Sequence, residues 1–185
     1  GLHEQALHLL LELRQDKTVQ LPAHLYARQL ADTYYILGQT EKALSELLSL
    51  VEQDPSQIDL MEIELQRMLS EDMDSCEPLS KLEPQRQSWA GHLFLAHGLE
   101  FCGKRQEATW HELQSHLLRN ELDAIATLFA ELVGAGHYEE ATWLEAHLTG
   151  RLASSVHLLY YRARLSEKTG RTEQAASLYR EYLTK

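Results

Sequence analysis

The chain alternates between one-sided apolar stripes and short polar breaks. Ala27, Leu30, Ala31 and Tyr34 fall three, one and three positions apart. Leu95, Ala96 and Leu99 repeat the spacing, as do Ile125, Leu128, Phe129 and Leu132, and Leu159 and Ala163 beside Tyr160. Apolar residues at three- and four-residue intervals line one face of a helix, so each stripe predicts an amphipathic α-helix. Each stripe is followed by a glycine: Gly38, Gly103, Gly136 and Gly170. Glycine adopts the left-handed conformation that closes a helix without a steric penalty. A second helix is predicted two or three residues later, with Thr40 and Thr172 as N-caps and Glu41 and Glu173 in the positive first turn. These second helices run on through Leu44, Leu47 and Leu50, or through Ala175, Leu178, Tyr179 and Tyr182.

The glycines keep a regular interval. The phrases GLHEQA, GQTEKA, GKRQEA, GHYEEA and GRTEQA begin at Gly1, Gly38, Gly103, Gly136 and Gly170, so the spacings are 37, 65, 33 and 34 residues. The long spacing is two beats with one glycine missing. A period near 34 residues is that of a helix–turn–helix array. The alanine five residues after each glycine is expected to face the preceding helix and let the two backbones approach closely. The missing beat covers residues 57–84. There Ile58, Met61, Leu65, Met68 and Leu69 mark a first helix, and SEDMDSCEP interrupts the pattern. A short second helix around Leu79 and Leu82 is expected, closed by Pro84. This stretch reads as a degenerate repeat. Gly1 to about Gln15 reads as a second helix without its first, and Lys185 falls at the end of another second helix. Repeat arrays need polar caps at both ends, so the expectation is one repeat domain over 1–185 within a longer protein. Self-association through uncapped ends is the alternative.

Ala27, Leu30, Ala31, Tyr34, Gly38, Ala43, Leu47, Leu50 and Pro55 together resemble a tetratricopeptide repeat. Ala27 stands where the family has Trp; elsewhere Phe129 replaces a small residue and Arg162 a Leu. The resemblance spans nearly the whole chain. It implies an all-α fold: an α-solenoid of stacked antiparallel helix pairs in a right-handed superhelix, about five repeats plus a lone N-terminal helix. In that family the first helices line a concave groove that holds a partner. The resemblance therefore places partner contacts at Arg28, Gln29, Asp32 and Tyr35, with Leu25; at Phe94, His97 and Phe101, with Leu93 and Glu100; at Asp123, Ala126, Thr127, Ala130 and Val133; and at His157, Tyr160, Tyr161, Arg164 and Lys168, with Glu167. Phe94, Phe101 and Tyr160 fit an inter-repeat core equally well. Ala126, Thr127 and Ala130 leave room for a bulky anchor. The family's carboxylate clamp uses Lys and Asn; only Arg28 and Gln29 approximate it, and the chain's single Asn, Asn120, is not on this face. A broad groove for an extended or helical segment fits better.

Charge narrows the partner class. The chain has 185 residues with 17 basic and 28 acidic side chains, a net charge of −11, and is 44% hydrophobic. Phosphate backbones require a basic footprint, so nucleic acid is disfavoured. No apolar run approaches the roughly 18 residues of a membrane span, so no membrane insertion is expected. Cys76 and Cys102 belong to no CxxC pair and read as free thiols of a reducing compartment, with one disulfide as the alternative. That makes cytoplasm the default location, with periplasm next. HELQSH (His111–His116) suggests a metal motif, but ligands five apart on a helix diverge by about 140°, and His92 and His97 share the defect. No metal, cofactor or catalytic constellation is expected. The sequence thus points to a non-catalytic interaction scaffold binding a protein or peptide. The alternatives are a regulatory or substrate-docking domain of a larger enzyme or transcription regulator, and self-assembly through the ends.

Overall fold

The computed structural model describes residues 1–16, 26–84, 88–148 and 155–185, and among them every regular element is helical. The helices are α1 (Leu2–Gln15), α2 (Ala27–Ile36), α3 (Thr40–Gln53), α4 (Ile58–Glu71), α5 (Cys76–Ser80), α6 (Trp89–Phe101), α7 (Arg105–Arg119), α8 (Leu122–Ala135), α9 (Tyr138–His147), α10 (Val156–Lys168) and α11 (Thr172–Thr184). They fall into two compact units, Gly1–Ser115 and His116–Lys185. No described helix is long and apolar enough to cross a membrane.

The interval glycines are the helix closures. Gly38, Gly103, Gly136 and Gly170 have φ of 70°, 72°, 84° and 78°. In each case the next amide reaches back to close the turn, as Gln39 N–H does to the Tyr34 carbonyl at 2.8 Å and Arg171 N–H to the Ser166 carbonyl at 2.7 Å. Asn120 closes α7 in the same way, with φ of 57° and Glu121 N–H donating to the His116 carbonyl at 2.9 Å. Asparagine is among the few non-glycine residues that tolerate this conformation. The predicted N-caps are displaced by one residue. Gln39 and Arg171 hold the cap positions of α3 and α11, and Thr40 and Thr172 are the first helical residues. Side-chain caps appear where the glycine is missing: Asp54 accepts from the Ser56 amide and Asp72 from the Asp74 amide, each opening a 3-10 turn ahead of α4 and α5.

In the first unit α2 and α3 form a close hairpin, α3 packs on α4, α5 and α6, and α4 and α5 pack on α6. Leu30, Leu44, Leu47, Met61, Leu65 and Leu99 are essentially inaccessible there. The alanines after the glycines are buried at 43, 108, 141 and 175, whereas Ala6 is exposed. Helix α1 has no fully buried residue; it rests on the core through Leu7, Leu10 and Leu11, and Arg14 donates to both carboxylate oxygens of Glu46 at 2.7 and 2.9 Å. The second helix of the degenerate stretch is the five-residue α5, held by the fully buried Leu79. Helix α6 is buried on nearly every side, and a Cβ on Gly98 would come within 2.7 Å of Cδ2 of both Leu65 and Leu79. Glycine at 98 is what lets α4 and α5 approach α6.

In the second unit α8 packs on α9 and α10, and α10 packs on α9 and α11. Arg162, at a position where the repeat pattern has Leu, donates to Glu145 of α9 at 2.9 Å, and Arg171 reaches the other Glu145 oxygen at 3.5 Å.

Candidate functional site

Two faces carry the sequence-predicted contact residues, one in each unit, and they differ in whether their polar side chains are already paired.

In the first unit these side chains pair with one another. Arg28 and Asp32 project from α2 toward Glu64 and Arg67 of α4. Arg28 donates to Glu64, and Arg67 donates to Asp32 at 2.9 Å, to Glu64 at 3.1 Å and to Glu71 at 3.4 Å. The Arg67 guanidinium lies 5.6 Å from the centre of the Tyr35 ring, and the Tyr35 hydroxyl donates to the Met68 carbonyl at 3.3 Å. His97 of α6 pairs with Glu62 of α4. Burial opposes the charge on Glu64, but hydrogen bonds from Arg67 and Arg28 overcome it and hold the carboxyl below its ordinary range. Asp32 is pushed up, by burial first and by Glu64 second, against the pull of Arg67 and Arg28. Arg28, Asp32, Tyr35 and His97 are therefore ties between neighbouring first helices. Gln29 is exposed beside them. Phe94 needs correction as a contact residue: it is fully buried in the core formed by α2 to α6. Its position on α6 turns inward because that helix is enclosed on nearly all sides. Phe101, at the end of α6, is 44% exposed. Leu25 lies outside the described residues.

In the second unit a groove of about 560 Å³ runs between α8 and α10. Asp123, Ala126, Thr127, Ala130 and Glu131 of α8 line one side, and His157 and Tyr161 of α10 the other. Small side chains form the floor at positions where α2 carries Arg28 and Asp32, counted back from the closing glycine. The Thr127 hydroxyl is turned onto its own helix, donating to the Asp123 carbonyl at 3.1 Å. The Asp123 and Glu131 carboxylates and the His157 ring have no hydrogen bond or ion pair among the described residues. Val133 is buried and contributes packing only. Beside the groove Tyr160 stacks edge-on to Tyr161 at 5.2 Å and contacts Tyr179 and Tyr182 at 6.3 and 5.6 Å. Tyr160 and Tyr182 are about one-third exposed, and the Tyr179 hydroxyl donates to Glu167 at 2.9 Å. Arg164 lies within electrostatic reach of that hydroxyl. Lys168 is exposed at the end of α10.

Glu62, Glu64, Arg67 and Glu71 were missed in the sequence because α4 ends at the extended residue Asp72 rather than at a glycine. Counting back from the glycine therefore had no origin. The buried stripe Met61, Leu65 and Met68 would have placed them, since Glu64 and Arg67 each precede one of its members. Glu131 precedes the buried Leu132 in the same way.

Two further constellations lie in the first unit. His92 and His111 approach across α6 and α7 with their Nδ1 atoms 2.9 Å apart, so one nitrogen donates and the other accepts. Trp110 stands edge-on to both rings, at 5.4 and 4.7 Å. Burial, and secondarily His92, push His111 down to about 4, and burial lowers His92. No group of three potential metal ligands occurs among the described residues. Cys76 and Cys102 form a disulfide, with Cα atoms 5.7 Å apart. The free-thiol expectation fails because the short α5 folds back along α6 and brings Cys76 against its end.

No protein-family model matches the chain, and no curated protein matches it.

Proposed function

We propose that this protein is a non-catalytic interaction module of tetratricopeptide-like repeats that holds a segment of another polypeptide between α8 and α10. The groove there is the observation that carries the reading. Its floor is small and its rim polar, and its walls come from two packed helices that need not rearrange to admit a ligand. The neighbouring Tyr160 and Tyr182 add aromatic surface of the kind that anchors protein partners. The paired face of the first unit serves to tie helices together. The disulfide favours an oxidising compartment such as the periplasm, since reducing compartments keep such thiols apart.

The test is selection of random twelve-residue peptides displayed on phage against the full chain. Survivors are then screened against an Ala126→Leu/Ala130→Leu variant, whose filled groove retains good helix formers and whose fold is checked by circular dichroism. Peptides that bind the parent and not the filled variant support the reading. Selection that yields only peptides indifferent to the filling overturns it. Self-association through the exposed Tyr160, Tyr182 and Leu183 is a second reading, and it requires a mass that rises with concentration in sedimentation.

A further inference from the structure

The first unit displays its own solution for a face built from carboxylates and a tyrosine. Arg67 lies over the Tyr35 ring while donating to Asp32, Glu64 and Glu71. An arginine suits that position because its planar fork serves several carboxylate oxygens at once and its face stacks on an aromatic ring. The α8–α10 groove presents the same receiving groups without the arginine. Asp123 and Glu131 stand on one wall and Tyr161 on the other, with small residues between. Neither carboxylate has a cationic partner among the described residues. The two carboxylates are eight residues apart on α8, about 12 Å along the axis. The gap between them is floored by Ala126 and Ala130, which leave room for a long side chain. Four of the unit's described cations are engaged elsewhere: Arg162 and Arg171 pair with Glu145, Arg119 with Glu121 and Lys185 with Glu181.

We propose that the segment held in this groove presents an arginine, whose guanidinium lies against Tyr161 and donates to Asp123 or Glu131. This rests on the groove reading above and specifies the chemistry of its occupant. An acidic or purely apolar segment would leave both carboxylates facing an uncompensated neighbour, which disfavours those partners.

The test uses the groove-dependent peptides from the display selection. They are expected to share an arginine. Replacing it with norleucine, which keeps an unbranched aliphatic stem and removes the guanidinium, should weaken binding by about tenfold or more, and replacing it with lysine should weaken it less. The Asp123→Asn/Glu131→Gln variant should lose the same factor for the arginine peptides and nothing for their norleucine forms. Its thermal midpoint should fall only slightly, by the loss of Asp123 from the first turn of α8, because neither carboxylate is paired among the described residues. Groove-dependent peptides without arginine, or with affinities indifferent to the Asn/Gln variant, would overturn the arginine assignment and leave the groove reading standing. Absence of any groove-dependent peptide overturns both.

Discussion

Reducing the Cys76–Cys102 bond tests how the short helix α5 is held. Helix α5 has five residues, far below the length at which an isolated helix is stable in water. It is kept in place by Leu79, by the disulfide and by the hydrogen bond from Lys104 to Ser80. The bond closes a loop over a sequence separation of 26 residues. Chain entropy for such a loop gives about 12 cal/mol/K, or about 3.5 kcal/mol at 25 °C. For a chain of 185 residues that is a fall in melting temperature of the order of 10 °C. The assay is differential scanning calorimetry of the oxidised protein with and without a phosphine reductant, with the Cys76→Ser/Cys102→Ser variant alongside. The reduced parent and the double variant should melt together, both well below the oxidised parent. Hydrogen exchange should quicken first across residues 73–81. Equal melting of oxidised and reduced parent, or free thiols in protein purified under oxidising conditions, would refute the reasoning.

Three further outcomes follow from the packing and the charges. Gly98→Ala should destabilise by about 1 kcal/mol in chemical denaturation: crowding of Leu65 and Leu79 exceeds the gain in helix propensity. Gly98→Val should cost more. Glu64→Ala should cost about 1 kcal/mol at neutral pH and low salt, and less at high salt, because it removes the carboxylate shared by Arg28 and Arg67; the depressed Glu64 pKa means the parent loses this contribution as pH falls into the carboxylate range. The histidine pair acts in the same direction. His111 is neutral in the fold down to about pH 4, so the unfolded chain takes up its proton first and stability should decline as pH drops from about 6.5 toward 4. In the His111→Gln variant this part of the decline, measured by urea titration across that range, should flatten.

The helix closures were legible because a single physical requirement, positive φ at low cost, selects a single residue type. Gly38, Gly103, Gly136 and Gly170 all meet it. Asn120 was overlooked as a closure although it is the chain's only asparagine, the next best residue for that conformation. The open space beside α8 has a simple sequence correlate: Ala126 and Ala130 are small at positions where α2 carries the charged Arg28 and Asp32. Phe94 was not separable from Tyr161, since both are aromatic nine residues before a closing glycine, and only the enclosure of α6 decides that one is core while the other lines the groove. The disulfide was illegible because the two cysteines share no motif. Their pairing depends on how the short α5 is laid along α6, which is a tertiary result.

Charge density explains why one face is paired and the other open. The first unit holds nine basic and nineteen acidic residues, the second eight and nine. With so large an acidic excess, carboxylates on adjacent first helices of the first unit would repel unless arginines were interleaved, and Arg28 and Arg67 supply that interleaving. A ligand arriving there would have to displace several charge-assisted hydrogen bonds for any it formed. The second unit is nearly neutral, so Asp123 and Glu131 can stand without partners among the described residues at little cost while they remain solvated. Among the described residues those carboxylates have no partner, and no described side chain occupies the alanine floor between them. The net gain on binding is therefore larger at the α8–α10 groove than at the better-populated charged face of the first unit.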